Sequence, residues 1–328
     1  MAECTTIAIA RGRHQQPPGG GLYIFWHRLM NFLQAPITLI FVFDGSGRPG
    51  IKRGHRVVDI PPYWLEAAME LIDILGWQTH QAPGEAEAEL AMMIRLGLIH
   101  GMITADSDSF VYGALYVLLP SNQRIEADEY MLYDLAEVLS HAVDGMGLTR
   151  GSLVLIALLC GGDYDPSGVL SCGPAVAHAL ARCGFGDELL RIIESGQSQA
   201  RIDNLLADWR RRMRAELESN NSGYLGSRHP AIAQAIGTNF PNPGILRLIT
   251  SPLTSWSSDH NIPVFRTLAL PPNIFRLTQF CLRYFYWSLD LLFRRFEGYV
   301  WEGIFLQLLY SVNAIFILIS FILSNILS

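Results

Sequence analysis

The chain has 328 residues, half of them hydrophobic and only 16% charged, enough to bury a full core and carry a smaller appendage. Its net charge of −6 argues against a generic nucleic-acid binder, although it leaves room for a local basic track beside an acidic site. The basic charge is almost entirely arginine, with Lys52 the only lysine.

Residues 1–13 are too polar and too short for a secretory signal, and 11–21 are Gly/Pro-rich and read as loop. Apolar groups at helical spacing predict a helix over 23–34. ITLIFVF at 37–43 is a continuous apolar run, the pattern of a parallel strand buried on both faces. It stops at Asp44-Gly45 and is followed by a basic stretch, Arg48, Lys52, Arg53 and Arg56. A helix over 63–75 opens behind Pro61-Pro62, and 76–82 is a short strand and turn. Pro83-Gly84 precedes a strong helix former over 85–96. A second buried strand over 99–104 leads to Asp106 and Asp108, and 111–119 reads as a strand or hairpin partner. Helices are expected over 127–143 and 152–159, the latter ending at Gly161-Gly162-Asp163. Two more follow over 173–183 and 187–195, then an arginine-rich helix over 202–218. Proline, asparagine and serine dominate 236–273, which reads as loop or linker. From Gly303 to Ser328 no residue is charged, which fits one membrane-spanning helix; a buried terminal helix or a coding artefact fits it as well. The five cysteines (Cys4, Cys160, Cys172, Cys183, Cys281) form no CxxC pair, so neither a disulfide framework nor a zinc site is expected.

Strands alternating with helices predict an α/β fold with a mostly parallel central sheet flanked by helices. In such sheets ligands bind beyond the carboxyl ends of the strands, and that is where the acids lie. Asp44, Asp106 and Asp108 follow apolar strands, Glu85 and Glu87 open a helix, and Asp163 follows two glycines. Carboxylates gathered in one crevice repel unless cations sit between them. Oxygen-only ligation without His or Cys points to Mg²⁺ or Mn²⁺. Two such ions about 4 Å apart can activate a water and stabilise the leaving oxygen of a phosphodiester. Glu85 and Glu87 on a regular helix would diverge by about 200°, so a frayed first turn or two different metals is required. Singly, each segment has a plainer reading: DG as a turn, first-turn acids as dipole partners, EAEAE as an exposed face.

Together, FVFDG, APGEAEAELA, TADSDSFVYGA and LLCGGDYDPSGV resemble, in order and spacing, the N- and I-regions of the XPG/flap endonuclease family. The resemblance implies a PIN-like, resolvase-like nuclease core followed by a helix–two-turn–helix DNA-binding segment. It implies Asp44, Glu85, Glu87, Asp106, Asp108 and Asp163 as metal ligands or their water-mediated neighbours, holding two Mg²⁺ ions that Mn²⁺ can replace. Lys52 and Arg53 would meet the scissile phosphate. Arg48, Lys52, Arg53, Gly168, Gly173, Arg210 and Arg211 would contact DNA, with K⁺ held at the helix–two-turn–helix. The short interval between Asp44 and Pro83 leaves no room for a long helical arch and favours the Holliday junction resolvase branch. Branched double-stranded DNA is then the expected partner, bound by a homodimer on a junction, in the nucleus; membrane attachment would need the 303–328 tail.

The domains expected are a nuclease core at 1–160, the DNA-binding helices at 161–235, a loop-rich extension at 236–302 and the apolar tail. Ser171 stands where the family usually has glycine, and Ala10 where its first strand ends in aspartate. One fewer carboxylate weakens metal binding, so a catalytically impaired binder of branched DNA is the alternative. Trp26, Trp64 and Trp77 are expected in the core rather than as base-stacking platforms.

Overall fold

The computed structural model describes residues 20–52, 55–56, 63–120, 130–140, 148–257 and 262–310. In chain order the elements begin α1 (Gly20–Leu33), β1 (Ile40–Phe43), β2 (Ile51–Lys52), β3 (His55–Arg56), α2 (Leu65–Ile74), β4 (Gln78–Gln81), α3 (Ala86–Arg95) and β5 (Met102–Ile103). They continue α4 (Asp108–Val111), β6 (Tyr116–Pro120), β7 (Tyr130–Asp134), α5 (Leu135–Ser140), α6 (Arg150–Cys160), α7 (Pro174–Arg182), α8 (Phe185–Ile193) and α9 (Gln199–Ser219). The last are α10 (Pro230–Ala235), α11 (Pro243–Thr250), α12 (Ile274–Phe285) and α13 (Leu289–Tyr299). The chain divides into two compact units. One takes the described residues within Met1–Phe43, Asp59–Gln81 and Pro263–Ser328; the other takes those within Asp44–Val58 and Ala82–Ile262.

In the first unit β1 and β4 pair in parallel, Ile40 opposite Gln78. Leu22, Trp26, Leu29, Met30 and Leu33 recur three and four apart on α1 and are fully buried. They share one core with Leu71 and Ile72 of α2, Phe280 of α12 and Phe296 of α13. Trp64 and Trp77 lie in the same core, so all three tryptophans are packing residues. Each such aliphatic side chain contributes roughly 1.5–3 kcal/mol by leaving water.

The second unit carries β5 parallel to β6, and β6 antiparallel to β7. The α/β expectation therefore holds, with short parallel pairings rather than one long sheet among the described residues. The expected helix over 127–143 is replaced at its start by β7: Tyr133 pairs with buried Val117, and sheet packing outweighs local helical spacing. A helix begins only at Leu135. The stretch read as linker holds α11, because Asn242 is its N-cap and Pro243 its first helical residue. Asn242 Oδ1 accepts from the amides of Gly244 (2.9 Å) and Ile245 (3.4 Å). Around α6, the helices α7 to α9 bury Leu155, Leu159, Leu180, Leu189, Trp209 and Met213 in a second core. Close approach is set by glycine: a Cβ on Gly186 would fall 2.2 Å from the carbonyl oxygen of Gly151.

Candidate metal centre

Three carboxylates converge in the second unit. One oxygen each from Asp106, Asp108 and Asp163 lies within 4.8 Å of the others. The loop after β5 is shaped by its own side chains. Thr104 Oγ1 accepts from the Asp106 amide (3.1 Å), and Asp106 Oδ1 accepts from the Asp108 amide (3.0 Å). This turn lets two acids two residues apart reach one place. Asp163 arrives from the end of α6 through Gly161, whose φ of +87° places it in the region that favours glycine. A Cβ there would lie 2.7 Å from the Pro166 oxygen.

The glutamates come from the start of α3. Glu85 is its N-cap, with extended backbone (φ −82°, ψ 138°), so it and Glu87 are not fixed at regular helical spacing. Glu85 is buried, and its Oε2 accepts from the Tyr112 hydroxyl (2.8 Å) and from the Tyr164 hydroxyl. The two phenols meet each other at 2.7 Å. Glu85 Oε1 sits 2.5 Å from the Lys52 ammonium, which is also 3.9 Å from Asp163 Oδ2. Asp44 closes the edge: Oδ1 accepts from the Ala86 amide (2.9 Å) and Oδ2 pairs with Arg48 (2.7 Å). Its segment is laced to the next by the Gly45 amide, which donates to the Gly84 oxygen at 2.6 Å.

The charges bear on one another. Burial first, then the neighbouring Asp106 and Asp163, push Asp108 up to about 6. Burial, then Asp44 and Asp106, raise Glu87 as well. For Lys52 burial works against the charge, but the hydrogen bond and charge of Glu85, with Glu87 and Asp163, outweigh it and raise the ammonium. Burial and the nearby Glu85 raise both Tyr112 and Tyr164, so they remain hydrogen-bond donors at neutral pH. An all-oxygen donor set in which burial and like charge raise Asp108 and Glu87 fits a hard divalent cation such as Mg²⁺.

Arg53, Ala10 and the apolar tail from 311 onward lie outside the described residues. Gly168 (φ +54°) is a tight turn in which a Cβ would come within 2.5 Å of the Leu159 oxygen, whereas Gly173 is the N-cap of α7 with open space around it. Ser171 adopts φ 62°, the left-handed region that glycine enters most easily. Arg210 donates to the Phe240 oxygen (3.0 Å), Arg211 pairs with Asp208, and Arg214 donates to the Ile236 oxygen (3.0 Å). Sequence reasoning assigned no role to Tyr112 or Tyr164, although both lie inside the quoted motifs. It also treated EAEAE as one pattern. Glu89, its third acid, is fully buried and accepts from the Ser255 amide (2.9 Å). Cys160, Cys172, Cys183 and Cys281 are free thiols.

Comparison with known proteins points to one group. Residues 76–163 match the model of the XPG I-region. The chain is 35% identical over 168 residues to Flap endonuclease GEN-like 1 of Arabidopsis thaliana, covering 49% of this chain and 27% of that protein. It thus spans about a quarter of that relative's length. Among solved structures, the Holliday junction-resolving enzyme GEN1 in complex with product DNA and Mg²⁺ superposes with a TM-score of 0.67 at 28% identity, covering 92% of this chain and 68% of that one. A junction-resolving enzyme GEN-1 binding potassium superposes with a TM-score of 0.68 at 29% identity, covering 88% and 66%.

Proposed function

We propose that this chain, which belongs to the XPG/flap endonuclease family and resembles its Holliday junction-resolving branch, is a Mg²⁺-dependent, structure-selective DNA endonuclease. It hydrolyses phosphodiesters at branched DNA, Holliday junctions and flaps, by a two-metal mechanism. The observation that carries this reading is the convergence of Asp106, Asp108 and Asp163 within 4.8 Å in an edge where burial and like charge raise Asp108. With Asp44, Glu85 and Glu87 they form an oxygen-rich edge suited to two divalent ions, with Mn²⁺ able to replace Mg²⁺. When bound, such ions supply an activated water and stabilise the leaving oxygen.

The chain's own groups do the rest. Lys52, held between Glu85 and Asp163, offers its ammonium to the scissile phosphate, with Arg53 beside it in sequence. Tyr112 and Tyr164 fix the Glu85 carboxylate through Oε2, while Oε1 meets the Lys52 ammonium. The amides at the start of α7, opened by Gly173, can bind a DNA phosphate without side-chain charge. The turn through Gly168 is where K⁺ would be held by carbonyls. Arg48, Arg210 and Arg211 extend the DNA-facing set, each sharing its guanidinium with a present partner, Asp44, the Phe240 oxygen or Asp208. The partner is branched double-stranded DNA, met by a homodimer in the nucleus. Among the described residues no helix is long and apolar enough to cross a membrane.

The test is a nicking assay on a four-way junction, a flap and a linear duplex with Mg²⁺. Nicking of the branched substrates alone, abolished by Asp108→Ala, is expected. Ala10, at the position of the family's first aspartate, favours a second reading in which the chain binds branched DNA without cutting it. Branch-selective binding with no nicking at high Mn²⁺ would select that reading.

A further inference from the structure

A cavity of about 380 Å³ lies in the second unit, separate in its lining from the metal centre except for one shared wall, Tyr112. Its volume is in the range of small-molecule sites, roughly 300–1,000 Å³. Two guanidiniums line it from different elements: Arg95 from the last turn of α3 and Arg150 from the first residue of α6. Thr254, Trp256 and Ser257 close it from the loop after α11, and no carboxylate is among the described lining residues. In a chain of net charge −6 such a lining is selective.

Arg150 is held in place. Its Nε donates to the Val111 oxygen (3.3 Å), its Nη1 reaches Glu194 (3.3 Å), and its Cδ packs where a Cβ on Gly113 would lie at 3.2 Å. That glycine has φ +88°, so the turn both needs glycine and leaves room for the arginine. Burial, then the charge of Arg95, pulls Arg150 below the usual arginine range. Glu194 already answers part of the Arg150 charge, and an anion between the two guanidiniums would relieve the rest. A guanidinium pair with hydroxyls nearby matches the oxygens of a phosphate, and the Trp256 ring adds an apolar face for a base or sugar.

We propose that this cavity is a binding site for a phosphate monoester, of the size of a mononucleotide, distinct from the metal centre. The group could come from a free nucleotide or from the 5′-phosphorylated end of a DNA strand, and both present the same dianion. The proposal does not depend on catalysis at the acidic edge.

The experiment is calorimetric titration of the intact, metal-free chain with inorganic phosphate, with thymidine 5′-monophosphate, and with a short oligonucleotide with and without a 5′-phosphate. Saturable binding of at least one phosphorylated probe is expected. Arg95→Glu, an exposed position outside the metal centre, should weaken it by about tenfold or more, and Arg95→Lys should retain most of it. Arg201→Glu, an exposed arginine on α9, serves as the control and should leave it unchanged. A 5′-phosphate advantage of the oligonucleotide that is lost in Arg95→Glu assigns the strand end. Binding confined to phosphate and the mononucleotide assigns the free ligand. No binding of any phosphorylated probe by the wild type, or Arg95→Glu binding like the wild type, overturns the proposal. Nicking activity, if present, should survive in Arg95→Glu, so failure here and failure of the nuclease reading are told apart.

Discussion

The acidic edge and the arginine-rich helix α9 both concentrate charge, and they treat it in opposite ways. On α9 the guanidiniums find acceptors within their own unit. Arg210 and Arg214 donate to the carbonyls of Phe240 and Ile236, while Arg211 and Arg212 pair with Asp208 and Arg212 also with Glu188. At the edge Lys52 pairs with Glu85 and Asp163 and Arg48 with Asp44, but the acids outnumber these cations and crowd one another. Asp108 is pushed up by burial and by Asp106 and Asp163, and Glu87 by burial, Asp44 and Asp106. A charge run with partners on the chain needs no counterion from outside, so a DNA phosphate must compete with those partners. An excess of one sign crowded into a half-buried place calls for a counterion from outside.

Neutralising one member of the edge is the largest way to break this contrast. Asp108→Asn should lower junction nicking by about 10³-fold or more, since a ligand of the proposed ions is lost. It should leave the metal-free melting temperature equal or higher, because a like charge is removed. A clear drop in melting temperature without Mg²⁺ would mean that Asp108 is a structural acid, and the contrast with α9 would collapse.

A smaller effect should come from the phenols. Tyr112→Phe keeps the ring but leaves Glu85 Oε2 with the Tyr164 hydroxyl alone. We expect kcat to fall by about tenfold with KM for the junction unchanged, as for a group that positions a ligand rather than binds substrate. A change in KM alone would place Tyr112 in DNA binding instead.

The crowding also has a pH signature. Asp108 sits at about 6 in the folded chain against an ordinary value of 3.8. The folded metal-free protein therefore holds its proton longer than the unfolded chain does. Its contribution to stability is present below about pH 4 and is lost as pH rises through about 6. Ligation needs the carboxylate, so Mg²⁺ must displace that proton in acid. The thermal shift produced by Mg²⁺ should be small near pH 5 and grow through about pH 6. Equal shifts at about pH 5 and pH 7.5 would show that Asp108 is not raised.

What could be read in advance follows from how local each cause is. The strand before Asp44 and the amphipathic faces of α1 and α9 depend on neighbours in sequence and were legible, although β1 covers only Ile40–Phe43 and is half-buried rather than buried on both faces. β7 was not, because YMLYD fits a helix or a strand and its pairing with β6 decides. α11 was hidden behind Asn242 and Pro243, residues that mark a loop or a helix start equally well. The acids were legible through their order along the chain. Tyr112 and Tyr164 were not, because their partner Glu85 lies 27 and 79 residues away. Glu89 was misleading for the opposite reason. It repeats the spacing of Glu85 and Glu87 yet is fully buried on the Ser255 amide, so its charge fastens a loop.

The finest test is on the balanced side. Arg212 grips Glu188 of α8 with both terminal nitrogens, one at 2.8 Å, and reaches Asp208 at 2.9 Å through Nε. Because Arg212 is 41% exposed and Glu188 27%, solvent screens the pair, and Arg212→Ala should cost only about 1 kcal/mol in denaturant unfolding. Nicking per folded molecule and its salt dependence should stay as they were, because the lost charge was already answered by the chain. A shallower salt dependence of junction binding would show that Arg212 also neutralises a DNA phosphate. Arg212 would then join its neighbours Arg210 and Arg211 in the DNA-facing set.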